Sequence, residues 1–450
     1  MSKPTIGFIG LGAMGFGMAT HLVSLGHPVT GFDVWPPTLE RFKAAGGAVA
    51  TTPADAVREC AFCICMVASA PQAQSALFDG DAAAIKALPK GAALLLASTV
   101  SSAYATSVAS QLVDLNRADV QFIDCPVSGG TARAASGELT IMAGGTSSAL
   151  AHGHELLLEL TAPDKLFIVE GGVGAGSNMK MVHQVLAGVH VTAACEALGF
   201  AARLGLDPVK VYETVVGKGQ EVDGWSWMFE NRMQRALKEE YKPAASALTI
   251  LLKDLGIITS TGRLTQFPTP LSSVTEQLFL SGVSLGWGPD DDSSMVRMYF
   301  PIPLSSVQSS NSSLSEVQRT QLVLDLLSSI HLCGAAEALA FTSHLKLDMQ
   351  QYFTLCADAA GASWSFRTHG PEMIALLSAT SAPAASTAVS KLTLEKRIER
   401  LEWVLVEAKN VGCPLYMGGE AMSQLSLARR RLGGEVDEVK GIIDGFWGTK

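Results

Sequence analysis

Short apolar runs alternate with helical patterns along the first third of the chain, and then the alternation stops. Continuous apolar runs bounded by turn residues predict strands at 5–9, 29–33, 62–67, 93–97, 121–125, 140–144 and 165–168. Helical stretches separate them, the first at 17–25, and this order predicts a parallel α/β sheet of Rossmann type over residues 1–176. Beyond Gly176 the apolar positions recur with helical period. They predict helices at 178–204, 208–217, 226–236, 245–264 and 271–280.

The helical pattern then returns. Residues 327–341, LSSIHLCGAAEALAF, repeat residues 186–200, LAGVHVTAACEALGF, at an offset of 141, pairing His190 with His331 and Glu196 with Glu337. Trp225-Ser226 reads onto Trp364-Ser365 at an offset of 139, and Pro270-Leu271 onto Pro414-Leu415 at 144. The expected architecture is therefore an α/β Rossmann N-terminal domain followed by an all-α domain in two tandem copies, the second degenerate. The copies are expected at 177–288 and 317–450. Residues 289–316, rich in Ser, Pro and Asp, read as a linker, and 378–390 as a flexible insert. The position opposite Lys180 is Gln321, so only the first copy carries a lysine there.

Composition narrows the function. A chain of 450 residues with 48% hydrophobic and 17% charged residues is expected to be a soluble globular protein with a sizeable core. A net charge of -9 without a basic tract argues against nucleic acid and anionic membranes as partners. Apolar runs such as 62–68 are too short to span a bilayer, and the N-terminus enters a strand without a leader pattern. The expected location is the cytoplasm. The eight cysteines sit mostly in apolar segments and read as free thiols. Cys60, Cys63 and Cys65 have a metal-like spacing but no second ligand pair, so no metal is expected.

Four motifs carry chemistry. Gly10-Leu11-Gly12-Ala13-Met14-Gly15 is weak evidence alone, but it lies between a predicted strand and a predicted helix. There Gly10 permits the tight turn, Gly12 lets the backbone approach a pyrophosphate, and Gly15 lets helix and strand pack closely. Asp33 ends the next strand, where a carboxylate binds ribose hydroxyls and repels a 2′-phosphate. Val34 and Trp35 offer no cation, so NAD is favoured over NADP. Thr99 follows a strand end, placed either to bind the nicotinamide ribose or to cap a helix. Ser128-Gly129-Gly130 can offer a hydroxyl and N–H groups to a carboxylate, though an ordinary turn has the same composition; Arg133 nearby is a further cation or a solvated one. Lys180, His183 and Gln184 share one helical face just after a glycine-rich turn. A lysine in an apolar helix costs free energy unless it is paired or used. Lys253, next to Asp254, is either a second cation for the site or half of a surface ion pair.

Together these residues resemble the β-hydroxyacid dehydrogenase family, which includes 3-hydroxyisobutyrate, tartronate-semialdehyde and threonate dehydrogenases and is related to 6-phosphogluconate dehydrogenase. The likeness runs over residues 4–290. It implies that Gly10, Gly12, Gly15, Asp33 and Thr99 bind the dinucleotide. It implies that Ser128, Gly129 and Gly130 hold the substrate carboxylate, that Lys180 is catalytic, and that Lys253 lies beside nicotinamide and substrate. The family has Asn where this chain has Gln184, which departs from the simplest 3-hydroxyisobutyrate assignment. The stretch 186–190 and the segment 133–143 look more like threonate dehydrogenases. The implied reaction is NAD-dependent oxidation of a short 3-hydroxy acid. Imine or keto reduction and non-catalytic dinucleotide binding are the alternatives. Since a second subunit's helical domain closes the site in such relatives, the second copy is expected to act as an internal pseudo-partner in a monomer or homodimer.

Overall fold

The computed structural model describes residues 3–217, 219–300, 303–306, 313–378 and 392–448. It divides into two compact units, 1–181 and 182–450. The division falls inside one continuous helix, Ala175–Arg203, rather than at the turn before it.

The first unit is a sheet of nine strands: β1 (Ile6–Ile9), β2 (Val29–Phe32), β3 (Ala48–Val49), β4 (Phe62–Cys65), β5 (Ala93–Leu96), β6 (Gln121–Asp124), β7 (Val127–Ser128), β8 (Thr140–Gly145) and β9 (Leu166–Ile168). Their spatial order is β3-β2-β1-β4-β5-β6-β8-β7, with β9 beside β8. The strands β3 to β6 in this order pair in parallel. The far edge departs from the expected parallel order: β8 runs antiparallel to β6 and to β7, and β9 is parallel to it. Both faces are covered, as parallel sheets require. Ile6, Phe8, Ile64 and Leu95 point into one apolar cluster, and Ile9, Cys63, Cys65 and Leu96 into the other. Cys63 and Cys65 thus share one face as the strand period requires, and they are core thiols.

The second unit is helical. Its helices are Pro208–Val216, Trp227–Lys238, Leu248–Thr265 and Pro270–Gly282, followed by Glu316–His344, Met349–Ala357, Trp364–Leu377, Leu394–Asn410, Tyr416–Arg431 and Glu438–Ile442. The stretch expected to be a linker opens as ordered core. Asp292–Met298 is a 3-10 helix, and Asp291, Asp292, Ser293 and Ser294 are buried. Asp291 accepts from the backbone N–H of Ala245 and Ser293 and pairs with Arg235 at 2.9 Å, which accounts for its burial. Residues 307–312 and 379–390, in the expected linker and insert, lie outside the described residues.

Two helices, Ala175–Arg203 and Glu316–His344, have the length and mean hydropathy of membrane spans (1.6 and 1.5), although no apolar run in the sequence reads as one. Both are core helices, with 100% and 94% of those windows buried inside the protein.

Candidate active site

The glycine loop follows β1 directly and starts the helix Ala13–Ser24. Gly10 has φ +94°, and a Cβ there would lie 2.3 Å from the Met66 carbonyl oxygen. A Cβ on Gly15 would lie 1.9 Å from the Gly10 carbonyl oxygen, so only glycine lets the helix return over its own turn. Gly12 differs: a Cβ there would meet no atom within 4 Å. It is also the helix N-cap, and it makes no side-chain hydrogen bond to the first-turn N–H groups. Tight turns at Gly10 and Gly15 with an open face at Gly12 fit a dinucleotide diphosphate.

Asp33 follows β2. Its Oδ2 accepts from the Leu11 N–H at 2.7 Å and its Oδ1 from the Trp35 N–H at 2.9 Å. The carboxylate is thereby fixed to the glycine loop itself, and each oxygen keeps a second lone pair for a hydroxyl. Val34 and Trp35 beside it are exposed. Past β5, Ser98 is a buried structural hydroxyl that accepts from the Val67 N–H. The next helix, Ser102–Asp114, is capped by Ser101, which removes capping as the role of Thr99.

Ser128 ends β7, opposite Thr140 of β8. Gly129 and Gly130 follow with φ +139° and +76°, a turn that non-glycine residues rarely make. Arg133 is exposed. The short helix Gly130–Ser136 packs on Ala13–Ser24 at Gly17, where a Cβ would come 2.9 Å from the Ala135 nitrogen. The diphosphate loop and the Ser128 loop are therefore neighbours within one unit.

The lysine helix is anchored by a residue that the sequence reading left without a role. Asp124, at the end of β6 and wholly buried, accepts from the Ser177 N–H at 2.8 Å and from its hydroxyl at 2.6 Å. Burial pushes the Asp124 carboxyl up to about 6, against the lowering effect of those donors. Gly176 permits the approach: a Cβ there would stand 2.4 Å from the Met142 carbonyl oxygen and 2.5 Å from that of Asp124. Lys180 lies one turn further on and is 6% exposed.

In the helical unit the same helix continues with His183 and Gln184. The Gln184 amide donates to Asp254 Oδ2 at 2.6 Å, and its Oε1 lies 3.1 Å from His183 Nδ1. Asp254 Oδ1 lies 3.2 Å from Lys253 Nζ. Asp254 is buried, and its two oxygens meet Gln184 and Lys253. Trp225 is a core residue, fully buried with its indole N–H donating to Glu230.

Two family models cover most of the first 300 residues. The NAD binding domain of 6-phosphogluconate dehydrogenase matches residues 5–171, and the NAD-binding domain of NADP-dependent 3-hydroxyisobutyrate dehydrogenase matches 174–299. L-threonate dehydrogenase of Cupriavidus necator is 38% identical over 299 residues, covering 66% of this chain and 97% of that one. The mitochondrial 3-hydroxyisobutyrate dehydrogenase of Rattus norvegicus is 31% identical, over 66% of this chain and 87% of its own. Among solved structures, 3-hydroxyisobutyrate dehydrogenase from Salmonella typhimurium superposes with a TM-score of 0.60 at 34% identity, over 66% of this chain and all of its own. The chain belongs to the β-hydroxyacid dehydrogenase family. It is a dinucleotide-dependent oxidoreductase acting on a CH–OH group.

Proposed function

We propose that this protein oxidises the 3-hydroxyl of a short 3-hydroxy acid, threonate-like or 3-hydroxyisobutyrate-like, with Lys180 as acid and base and NAD favoured over NADP. The observation that carries this reading is the 6% exposure of Lys180 on a helix whose start is pinned to the sheet by Asp124. A buried lysine on a helix fixed to the end of a sheet strand is a candidate acid and base, because buried ionisable groups cluster at functional sites. The bound nicotinamide supplies the hydride acceptor. Lys180 Nζ, neutral at the start, takes the substrate hydroxyl proton as the C3 hydrogen leaves with its electron pair. The hydroxyl of Ser128 and the N–H groups of Gly129 and Gly130 hold the carboxylate, fixing the C3–H direction. Gln184, its amide held by Asp254, accepts or donates to a second substrate oxygen. Asp33 supports NAD: a 2′-phosphate would meet its carboxylate, and the next two residues, Val34 and Trp35, are exposed and uncharged.

The test is NADH formation by the purified chain on L-threonate, D-threonate, 3-hydroxyisobutyrate, D-glycerate and 6-phosphogluconate, each with NAD and NADP. One acid should give a clear NAD-linked rate, and Lys180→Ala should lower kcat by roughly 10³-fold or more while dinucleotide affinity stays unchanged. Retained turnover in Lys180→Ala, or a rate confined to NADP, would overturn the respective assignment.

A further inference from the structure

The helical unit is built from contacts that come in exchanged pairs. The helices Ala175–Arg203 and Glu316–His344 each have 29 residues, and both of their ends are 141 residues apart. His190 and His331, also 141 apart, meet ring to ring at 4.6 Å, edge to face. Glu196 accepts from the N–H groups of Met417 and Gly418 at 3.0 and 2.9 Å, in the first turn of Tyr416–Arg431. Glu337 accepts from those of Leu271 and Ser272 at 2.8 and 3.0 Å, in the first turn of Pro270–Gly282. Met417 and Gly418 stand 146 residues after Leu271 and Ser272, so each half's glutamate caps the corresponding helix of the other half.

The same exchange recurs at a third place. The Trp227 N–H donates to the Ala362 carbonyl at 2.9 Å, and the Trp364 N–H donates to the Trp225 carbonyl at 3.0 Å. Both partners are shifted by 137 residues, and Ser226 and Ser363 face each other between them. Within each half, Leu248 donates to Asp290 and Leu394 to Val436, both at 2.9 Å and again 146 apart. These registers replace the 139 and 144 read from the sequence, because helix caps and not single shared letters define equivalent positions.

When residue i touches j of a partner and j touches i in return, the interface is isologous, the form made by a two-fold axis. Packing between unrelated helices has no reason to reproduce it three times. We infer that the two helical halves form a fused pseudo-dimer: the second half occupies the face that a second copy of this chain's helical domain would otherwise cover. The face is consumed within one chain, and the chain has a single catalytic centre. In the second half, Gln321 stands at the position of Lys180, Asp325 at that of Gln184 and Arg400 at that of Asp254. These three tie to one another, Gln321 to Asp325 at 3.0 Å and Arg400 to Asp325 at 3.3 Å, as a closed structural network. The inference does not depend on which acid is the substrate.

The test uses the full chain carrying Ser226→Cys and Ser363→Cys. Their flanking hydrogen bonds make them a non-hydrogen-bonded antiparallel pair, with Cα atoms about 4.5 Å apart, close enough for a disulfide. After mild oxidation, denaturation and blocking of the remaining thiols, the expected product is a monomer with a 226–363 link inside one chain. A link between chains, or no link in a variant with wild-type circular dichroism, would overturn the inference. If that variant does not fold, the unmodified chain decides: its melting temperature should be constant over a 100-fold range of protein concentration, and a rise with concentration would place the face between chains.

Discussion

At the residue scale, the side chains that act and the side chains that aim them come from different elements. Gln184 illustrates this. Alone, a glutamine can present either end of its amide to a substrate; with Asp254 Oδ2 accepting its N–H at 2.6 Å, the orientation is set. Asp254→Ala would release that amide and leave Lys253 without its 3.2 Å carboxylate partner. Turnover on the preferred acid should fall roughly 10- to 100-fold through kcat, with dinucleotide affinity unchanged. An equal loss in dinucleotide affinity would instead place Asp254 at the cofactor. The amide position was readable from helical spacing, because residues three and four apart share a face. Its partner, 70 residues away, was not. Nor was the bond of Asp124 to Ser177, 53 residues apart, which no local pattern encodes.

At the element scale, the two outer glycines of the dinucleotide loop and its middle one are glycine for opposite reasons, and mutation should separate them. Gly12→Ala adds a Cβ that meets no protein atom within 4 Å. The melting temperature should fall by no more than a few degrees, the cost of a poorer helix N-cap, while NAD affinity drops by more than tenfold as the backbone can no longer meet the diphosphate. Gly15→Ala drives a Cβ to 1.9 Å from the Gly10 carbonyl, so it should fail on stability first. Calorimetry with and without NAD separates the two outcomes. Ser177→Ala belongs to the same scale: losing the side-chain bond to the buried Asp124 should cost about 1–2 kcal/mol and lower kcat by letting the start of the lysine helix shift. The elements themselves were legible where burial on both faces leaves a continuous apolar run, as in β1, β4 and β5. The two-residue strands β3 and β7 are too short to leave a pattern, and the reversed direction of β8 is a matter of pairing, which residue types do not record.

At the scale of the whole molecule, the seam between the two helical halves is lined with fully buried titratable groups whose pH effects oppose one another. Burial pushes Glu196 and Glu337 up to about 7 from 4.5. A carboxyl raised on folding takes up a proton as the chain folds, so its contribution is complete below pH 4.5 and is lost as pH rises through 7. Burial pushes His331 down to about 3 and His190 well below 6.5. An imidazole lowered on folding gives up a proton, so its contribution is complete above pH 6.5 and is lost as pH falls. Between pH 4.5 and 6.5 the two carboxyls and the two imidazoles therefore pull stability in opposite directions and largely cancel. Replacing the carboxyls removes one side of that balance. Glu196→Gln with Glu337→Gln replaces one accepting oxygen in each cap by an amide NH2 that cannot accept from the backbone N–H groups, and should melt below the wild type at pH 5. The gap should narrow steadily towards pH 8, because only the wild type then has to hold buried carboxylates. The recovery should reach up to about 3 kcal/mol for each carboxyl. Each single variant should recover about half of it, since the two caps are equivalent positions of one seam. Unfolding in urea at pH 5, 6, 7 and 8 measures this directly. A gap that stays constant with pH, or that closes in only one of the two single variants, would show that the two glutamates do not titrate as a matched pair.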